Sequence, residues 1–529
     1  MDIGRVIDRA IAAVFPTWGA RRAVDRLKFE AATMYRGASR DRTRSDWSTG
    51  RQDPDPMNYE LEALRNRSRE QNTMDGVAAG ATETMSINIA GNGLQLQSRI
   101  RAEDLGISED KAETIRRQAE DIWAQFNVFA DVGRRLTFDE IQYLAVRKVI
   151  EDGESVVIPT WIEDSAQPLA RRLQIIEADR LASSDSNYKY GILLGAHGEP
   201  DKYSIRKAGK LNDYDVIDAR DSFDRPKILH IYRPLRPGQI RGVPLLTPVL
   251  TLFKDVAETR EAWVMKERIQ ACLTMILTKK TDPIQEAMRN ATDTETSTKT
   301  ASTRLQQMEP GLVYYNEQGD EVSFVDPSRS AEGFEPFFRS TIRTICACLG
   351  IPYELVMKDF SQTNYSSARA ALLEGRRVFT HWRKWLAAKL CQPVYEMVLE
   401  EAFLRGLFDA PGFYERRWAY CRGLWIGGGW GWVDPVKEIE ASKMAIDYNL
   451  STLADEAAAN GKDYEDIIQQ RAREKGKLKD AGLAVVSIEP AAPKAPAPTK
   501  EEDAEQGNTT EQQTRRAAVV AAMIKEPTV

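Results

Sequence analysis

The sequence predicts an α+β protein in which a mixed α/β body gives way to long helices. Three observations predict it. Short β-patterned runs alternate with helical patterns between about residues 61 and 234. Apolar residues then recur at helical spacing over 247–280, 331–349 and 366–404, runs that are long for a domain helix. Finally, 42% of residues are apolar and 29% charged, enough to bury cores and keep a solvated surface. At 529 residues the chain is past the size at which a single core keeps growing, so about three or four structural units are expected.

Taken in order, "MDIGRVIDRAIAAVFPTWGARR" places Ile3, Ile7, Ile11 and Val14 at helical spacing and breaks them with Asp2, Arg5, Asp8 and Arg9. This predicts a short amphipathic helix that docks on its own body, the favoured reading, or on a neighbour, and is neither a signal peptide nor an anchor. No stretch reaches the ~18 uninterrupted apolar residues of a spanning helix. Residues 61–97 predict a helix and then a strand carrying Ile87, Ile89, Leu94 and Leu96 around the turn Gly91-Asn92-Gly93. Arg65, Arg67 and Arg69 are interleaved with Glu62 and Glu70, which predicts a solvated helix face rather than a nucleic-acid patch. Two helices follow over 111–150, past Trp123, Phe126, Leu136, Ile141, Leu144 and Val149. Asp152-Gly153 reads as a hairpin turn into a buried strand from Val156 to Ile158, and that turn accounts for Glu151, Asp152 and Glu154 without a metal. Further strands are expected at 173–179, 202–207 and 227–234. Pro234, Pro237 and Pro244 then stiffen the chain, with Pro244 in a first helical turn.

The helix over 247–280 carries Leu252, Val256, Trp263, Ile269, Leu273 and Ile276. At about 1.5 Å per residue it spans roughly 50 Å if continuous. A polar, Thr-rich stretch from Thr281 to Gly311 reads as loop, and "LVYYNEQGDEVSFV" reads as a hairpin around Gln318-Gly319-Asp320. The helix from near Ala331 carries Phe334, Phe337, Phe338, Ile342, Ile345 and Leu349 and stops at Gly350-Ile351-Pro352. A turn-rich run leads to the third long helix, Ser366 to Leu404, for which Asn364, Ser366 and Ser367 are all acceptable N-caps. "GLWIGGGWGWV" at 423–433 lacks dinucleotide-site spacing and reads as packing and a tight turn. Beyond about 485 the Pro/Ala/charge-rich chain predicts a disordered tail, closing on a short helix near 514–525.

Chemistry is harder to find. The five cysteines, Cys272, Cys346, Cys348, Cys391 and Cys421, sit mostly in helix-like apolar runs, as buried thiols of a reducing compartment do. Cys346-Ala-Cys348 has the wrong spacing for a redox or zinc pair. The three histidines, His197, His230 and His381, are scattered. No Gly-Lys-Ser/Thr phosphate loop occurs, so motor activity is not intrinsic. Ser366-Ser367 lack a nucleophile elbow, although His381 shares their predicted helix. No spacing singles out an acidic pair for nuclease metals. A net charge of -6 opposes tight holding of nucleic acid and suits a surface that lets DNA slide past. Two helices that leave and rejoin one body, with a small module at their far end, suit a projecting stalk that assembles side by side.

Five segments occur in an order that resembles the portal proteins of tailed bacteriophages, specifically the lambda-type family. They are "LRNRSREQNTMDGVAAGATETMSINIAGNGLQLQ", "FDEIQYLAVRKVIEDGESVVI", "RPGQIRGVPLLTPVL", "LGIPYELVMKDFSQTNYSSARAALLEGRR" and "GWVDPVKEIEA". The resemblance covers the chain from about Tyr59 to about Gln470, while 281–311 and the tail beyond 485 carry no signature of it. It implies a ring, typically a dodecamer, at one capsid vertex of the virion, assembled in the host cytoplasm, with double-stranded DNA passing through independently of sequence. It implies as partners the terminase, the major capsid or scaffolding protein and head–tail connector proteins. No membrane, cofactor, metal or catalytic residue is implied.

By the same resemblance the chain divides into an N-terminal arm (1–57), an α/β wing (58–245), stem helix one (246–280), a clip (281–330), stem helix two (331–349), a tunnel loop (350–366), a wing helix (367–422), a helical crown (423–485) and the disordered tail (486–529). The tunnel loop would present Lys358, Asp359, Phe360, Ser361, Gln362, Thr363, Asn364 and Tyr365 to DNA. The clip would present Gln307, Tyr314, Tyr315, Gln318 and Asp320 to docking partners. About twelve copies at -6 give a ring near -70, a field that repels phosphates. Two other readings stay open: a metal-dependent nucleic-acid-processing enzyme, and a helical adaptor protein without a pore.

Overall fold

A computed structural model describes residues 15–18, 21, 53–55, 58–164, 167–210, 212–272, 275–279, 313–316, 320–323, 334–431 and 434–481. The expected helices at 3–14 and 514–525, the Thr-rich stretch 281–311 and the tail beyond 485 lie outside the described residues. The chain divides into two units, 1–463 and 464–529. In the second unit, helix α14 (Tyr464–Asp480) begins with Glu465 and Asp466 and ends with Lys477 and Lys479, a distribution that matches the helix dipole.

The first unit opens with α1 (Asn58–Met74) and α2 (Gly76–Ile89). They separate at Asp75, whose carboxylate accepts from the amides of Val77 and Ala78 at 2.8 Å and caps α2. The strand expected through Ile87 and Ile89 is therefore helix. Ala78, Ala81, Met85 and Ile89 are fully buried at three- and four-residue spacing, and that packing overrides the β-propensity of isoleucine. Strand β1 (Gln95–Ser98) starts only after the Gly91–Gly93 turn. Next come α3 (Ala102–Leu105), α4 (Glu109–Val128) and α5 (Phe138–Asp152), the last started by a reciprocal Thr137/Glu140 capping box.

Asp152-Gly153 is not a hairpin. Gly153, at φ 88°, ends α5 and turns it directly into β2 (Glu154–Trp161). Strand β2 is the centre of an antiparallel sheet between β3 (Arg171–Ile176) and β7 (Leu229–Tyr232). A second antiparallel sheet, β4 (Ile192–Leu194), β5 (Pro200–Arg206) and β6 (Tyr214–Asp218), closes a small core around Tyr203 and Ile205. The main core joins α2, α4, α5 and the helices that return to the body near the end of the chain.

A short 3-10 turn with Pro248 in its first positions starts α6 (Leu250–Cys272), so Pro248 rather than Pro244 occupies the first-turn proline site. Helix α6 has 23 residues, about 35 Å rather than 50 Å. The apolar residues beyond it continue as β8 (Met275–Lys279), so a helical apolar count ran on into a strand. Strand β8 lies between β9 (Val313–Asn316), parallel to it, and β10 (Asp320–Ser323), antiparallel. The hairpin expected at 313–323 is thus split, because its two strands pair with the opposite edges of β8 rather than with each other.

Helix α7 (Phe334–Leu349) ends as expected: Gly350 is left-handed at φ 71°, and Ile351 N–H donates to the carbonyl of Cys346 at 3.0 Å. After the short α8 (Tyr353–Met357), α9 (Tyr365–Leu386) passes through one π-helical stretch, Ala387–Cys391, into α10 (Gln392–Leu404). Then α11 (Arg417–Tyr420) leads to β11 (Gly423–Ile426), which pairs antiparallel with β1, and on to α12 (Pro435–Asp447) and α13 (Leu453–Ala459). Cys346, Cys391 and Cys421 are buried, and burial pushes the thiols of Cys346 and Cys421 up to about 12. Cys348 departs from the expectation: it is exposed, on the outer face of α7.

Candidate functional site

Among the described residues, helices α6 and α7 are anchored in the core at one end only. Phe253 and Val256 of α6 are buried in the core, and none of its described side chains from Ala257 to Arg268 is buried. Helix α7 mirrors this: nothing from Phe334 to Thr341 is buried, whereas Ile342, Ile345, Cys346 and Leu349 are. The free ends support each other. Trp263 stacks on Phe334 with ring centroids 4.9 Å apart, and Phe334 lies 5.8 Å from Phe338. The two helices therefore run antiparallel out of the core as a pair of struts, with Val264, Met265 and Phe337 left exposed on them. At the far end of α6 the chain enters the three-stranded sheet. There Tyr314 and Tyr315 sit opposite Ile276 and Leu277, and Asp320 sits opposite Lys279. Gln307 and Gln318 lie outside the described residues.

The run from Gly350 to the start of α9 has two halves. The first is anchored: Ile351 and Val356 are buried, and Tyr353, Leu355 and Met357 pack on the core. Gly375 of α9 makes room for it, since a Cβ there would come within 2.6 Å of the Leu355 side chain. Only the second half projects. Lys358 is left-handed at φ 54°, and the Asp359 carboxylate then accepts from Ser361 N–H at 3.0 Å and Ser361 Oγ at 2.6 Å. Those bonds hold the Asp359 carboxyl below its ordinary range. Thr363 donates twice to the carbonyl of Phe360, and Asn364 accepts from Ser367 N–H at 2.8 Å, so Asn364 is the N-cap of α9.

The turn brings together Lys358 through Asn364, and Tyr365 is the first residue of α9. Lys358, Phe360, Ser361, Gln362, Asn364 and Tyr365 are exposed; Asp359 and Thr363 are half-buried. One lysine among amides and hydroxyls suits transient, sequence-independent contact with phosphates. Catalysis gains nothing here: Ser366 and His381 share α9 but stand fifteen residues apart, about 22 Å along its axis.

A cluster that sequence reasoning missed lies in the body. Arg65 is 4% exposed and Glu154 wholly buried, against the expected solvated helix face; of the three arginines only Arg67 faces solvent. The Glu154 carboxylate accepts from Arg65 Nη2 at 2.7 Å, from Arg241 Nε at 2.9 Å and from Gly242 N–H at 2.7 Å, and His230 Nε2 lies 3.1 Å away. Arg69 grips both oxygens of Asp152 at 2.7 and 2.9 Å. Arg241 also donates to the carbonyls of Leu181, Tyr190 and Ala178. Burial alone would raise the Glu154 pKa; Arg241, Arg65 and His230 outweigh it and hold the carboxyl well below its ordinary value. The fit is tight, since a Cβ on Gly242 would come within 2.1 Å of the Gly153 carbonyl oxygen.

Asp152 and Glu154 are thus not solvated turn residues but the acidic half of an ion-pair knot. Three segments far apart in sequence, "LRNRSREQ", "EDGESVV" and "RPGQIRGV", meet in it. The available signal was that Arg65 and Ser68 share a helix face with Leu61, which is buried.

A family model described as phage portal protein, lambda family, matches residues 40–383, from before α1 to near the end of α9. The portal protein of Escherichia phage N15 is 26% identical over 440 residues, covering 77% of this chain and 83% of that protein. Portal protein B of Escherichia phage lambda is 26% identical over 444 residues, covering 77% of this chain and 82% of that protein. Among solved structures, a chain in the neck of a native gene transfer agent particle computed with C12 symmetry is 17% identical, with a TM-score of 0.37, over 69% of this chain and 93% of that one.

Proposed function

Because this chain belongs to the lambda family of phage portal proteins, we propose that it forms the ring-shaped channel at one capsid vertex through which DNA is packaged and ejected. It is a structural component of the virion and not an enzyme. The observation that carries the reading is the family match across body, struts and loop, and the strut geometry agrees with it. Side by side in a ring, α6 and α7 are the stem, and the sheet of β8, β9 and β10 is the clip module at its far end. Docking of the terminase, and afterwards of head–tail connector proteins, falls to that module, with Gln307, Tyr314, Tyr315, Gln318 and Asp320 as its candidate contacts. The exposed turn Lys358–Tyr365 is the segment that meets DNA in the lumen. The wing spans 58–245 and the wing helix 367–422. The crown comprises 423–485, although its first strand, β11, pairs with β1 of the body. The ring contains about a dozen copies.

Electron microscopy of the purified full chain tests the reading: closed rings with an axial hole are expected, and particles without a pore overturn it in favour of an adaptor. The same rings should neither cut DNA in magnesium nor hydrolyse ATP; metal-dependent cleavage by the monomer would favour a nuclease. Shortening Asp359 to Asn364 should leave ring assembly intact while impairing DNA packaging or retention, and unchanged packaging would remove the turn from the DNA path.

A further inference from the structure

Leu450 is the most exposed large apolar side chain among the described residues at 82%, and Tyr448, two positions away, is 75% exposed. They are held out by a defined turn, not a loose loop. Asn449 adopts the left-handed conformation at φ 57°, and the amides of Leu450 and Ser451 both donate to the carbonyl of Ala445 at the end of α12. None of the described residues of α12 or α13, the helices on either side, is buried. The pair gains no fully buried side chain from its own chain, the packing that normally stabilises short helices. The turn is acidic: between Asp447 and Glu456 the sequence "DYNLSTLADE" holds Asp447, Asp455 and Glu456 and no cation.

The same chain carries a cleft of opposite character. Between α9, the π-helical stretch, β11 and α13 lies an open cleft of about 550 Å³, walled by Trp425, Trp430 and Ala388 and rimmed by Arg383 and Lys384. That volume falls in the ~300–1,000 Å³ range of sites that take a compact ligand. Its wall is preformed: Arg383 lies 4.1 Å over the Trp430 ring and donates to the carbonyls of Asn88, Ile89 and Gly428. Burial of that guanidinium lowers its pKa to about 10, so it is still cationic at neutral pH. The chain's own Tyr448–Leu450 turn does not fill the cleft, because both side chains stand in solvent.

We propose that the Tyr448–Leu450 knob of one copy seats in the Trp425/Trp430 cleft of the next. The occupant is a second copy of this chain because knob and socket sit on one molecule, are complementary in charge, and join different patches. Such a head-to-tail contact builds a ring when its rotation closes, as the ring reading requires, whereas a two-fold contact would use one patch twice. A rigid turn presenting tyrosine and leucine to an aromatic-walled, cation-rimmed cleft has the character of an interface hot spot. The inference rests on the ring reading above and assigns one of its subunit contacts.

The test places a photo-crosslinking residue at position 450 of the full chain, in a mixture of isotope-labelled and unlabelled copies. The expected product joins position 450 of one copy to residues 380–392 or 423–430 of another. A crosslink within one copy, a crosslink to any other surface, or rings that give no crosslink would overturn the contact while leaving the ring reading in place. Failure of the unmodified chain to form rings would overturn that reading and the contact with it. As a second arm, Tyr448→Ser with Leu450→Ser should raise the concentration needed for ring assembly at least about tenfold, since losing one hot-spot anchor costs that much or more. The far-UV spectrum should be unchanged, because both side chains are already in solvent. Assembly at the original concentration would contradict the proposal.

Discussion

The knot around Glu154 and the struts α6 and α7 satisfy their side chains in opposite ways. In the knot every strong donor meets an acceptor of the same chain: Arg241 uses each of its three nitrogens, and Glu154 meets two arginines, one histidine and a backbone amide. On the struts, burial stops about two turns into α6, after Val256, and Val264, Met265 and Phe337 face solvent. The body is thus self-sufficient, whereas the projecting helices leave large apolar side chains exposed among the described residues. That difference separates residues that hold the fold from residues open to contact, which the proposed ring would cover.

The largest effect that bears on the comparison is expected at the knot. Arg241→Met leaves the wholly buried Glu154 with fewer cationic partners and should destabilise the chain by about 3–5 kcal/mol, read from the urea midpoint. A loss below about 1 kcal/mol would mean that the knot is not what holds the body. Acid separates the regions in the same direction. Because the folded Glu154 pKa is depressed, its stabilisation is complete above the unfolded carboxyl value of about 4.3 and is lost as pH falls through the lower folded value. Stability should therefore drop on acidification in the parent and drop less in Glu154→Gln, whose starting stability is already lower; equal pH slopes would contradict the assignment. A smaller effect is expected where body meets loop. Asn364→Ala removes the N-cap of α9 and should cost about 1 kcal/mol, visible as faster amide exchange in its first turn. Smallest of all for the isolated chain is Met265→Ser, within about 0.5 kcal/mol in stability, because that side chain already faces water. If the struts are completed by neighbours, the same substitution should nonetheless reduce ring yield.

The contrast also explains what the sequence could and could not reveal. Local periodicity sufficed for α4, α5, α7 and α9, and the glycine stop at Gly350 was legible because a helix C-cap is a local device. The exposed turn was legible too, as a polar, turn-rich run between apolar helices; in it Asp359 and Asn364 accept from nearby backbone amides and Ser361 Oγ donates to Asp359. The knot was not. Arg65 and Arg69 resemble surface arginines until Asp152 and Glu154, more than eighty residues away, arrive beside them. The order of β10, β8 and β9 was hidden for the same reason, since a tight turn between adjacent strands predicts a hairpin and only the distant β8 separates them. Strand β4 was missed because its three residues are too few to show alternation, and β6 because its exposed positions carry none; β6 is held in part by cross-strand pairs such as Lys202 with Asp218. In the struts the helices were legible and the exposure of their outer faces was not, because helical periodicity in a single chain does not tell which apolar side chains stay uncovered.

The most direct measurement is oxidative footprinting of Met265 and Phe337 in the free chain and in the assembled particle. Met265 reports well because its thioether oxidises readily when exposed. The account predicts that both residues react in the free chain and are protected on assembly, while exposed Met74 at the end of α1 is oxidised equally in both states. Equal reactivity of Met265 and Phe337 in free and assembled protein would mean that the struts are not packed against neighbours, and would contradict the account.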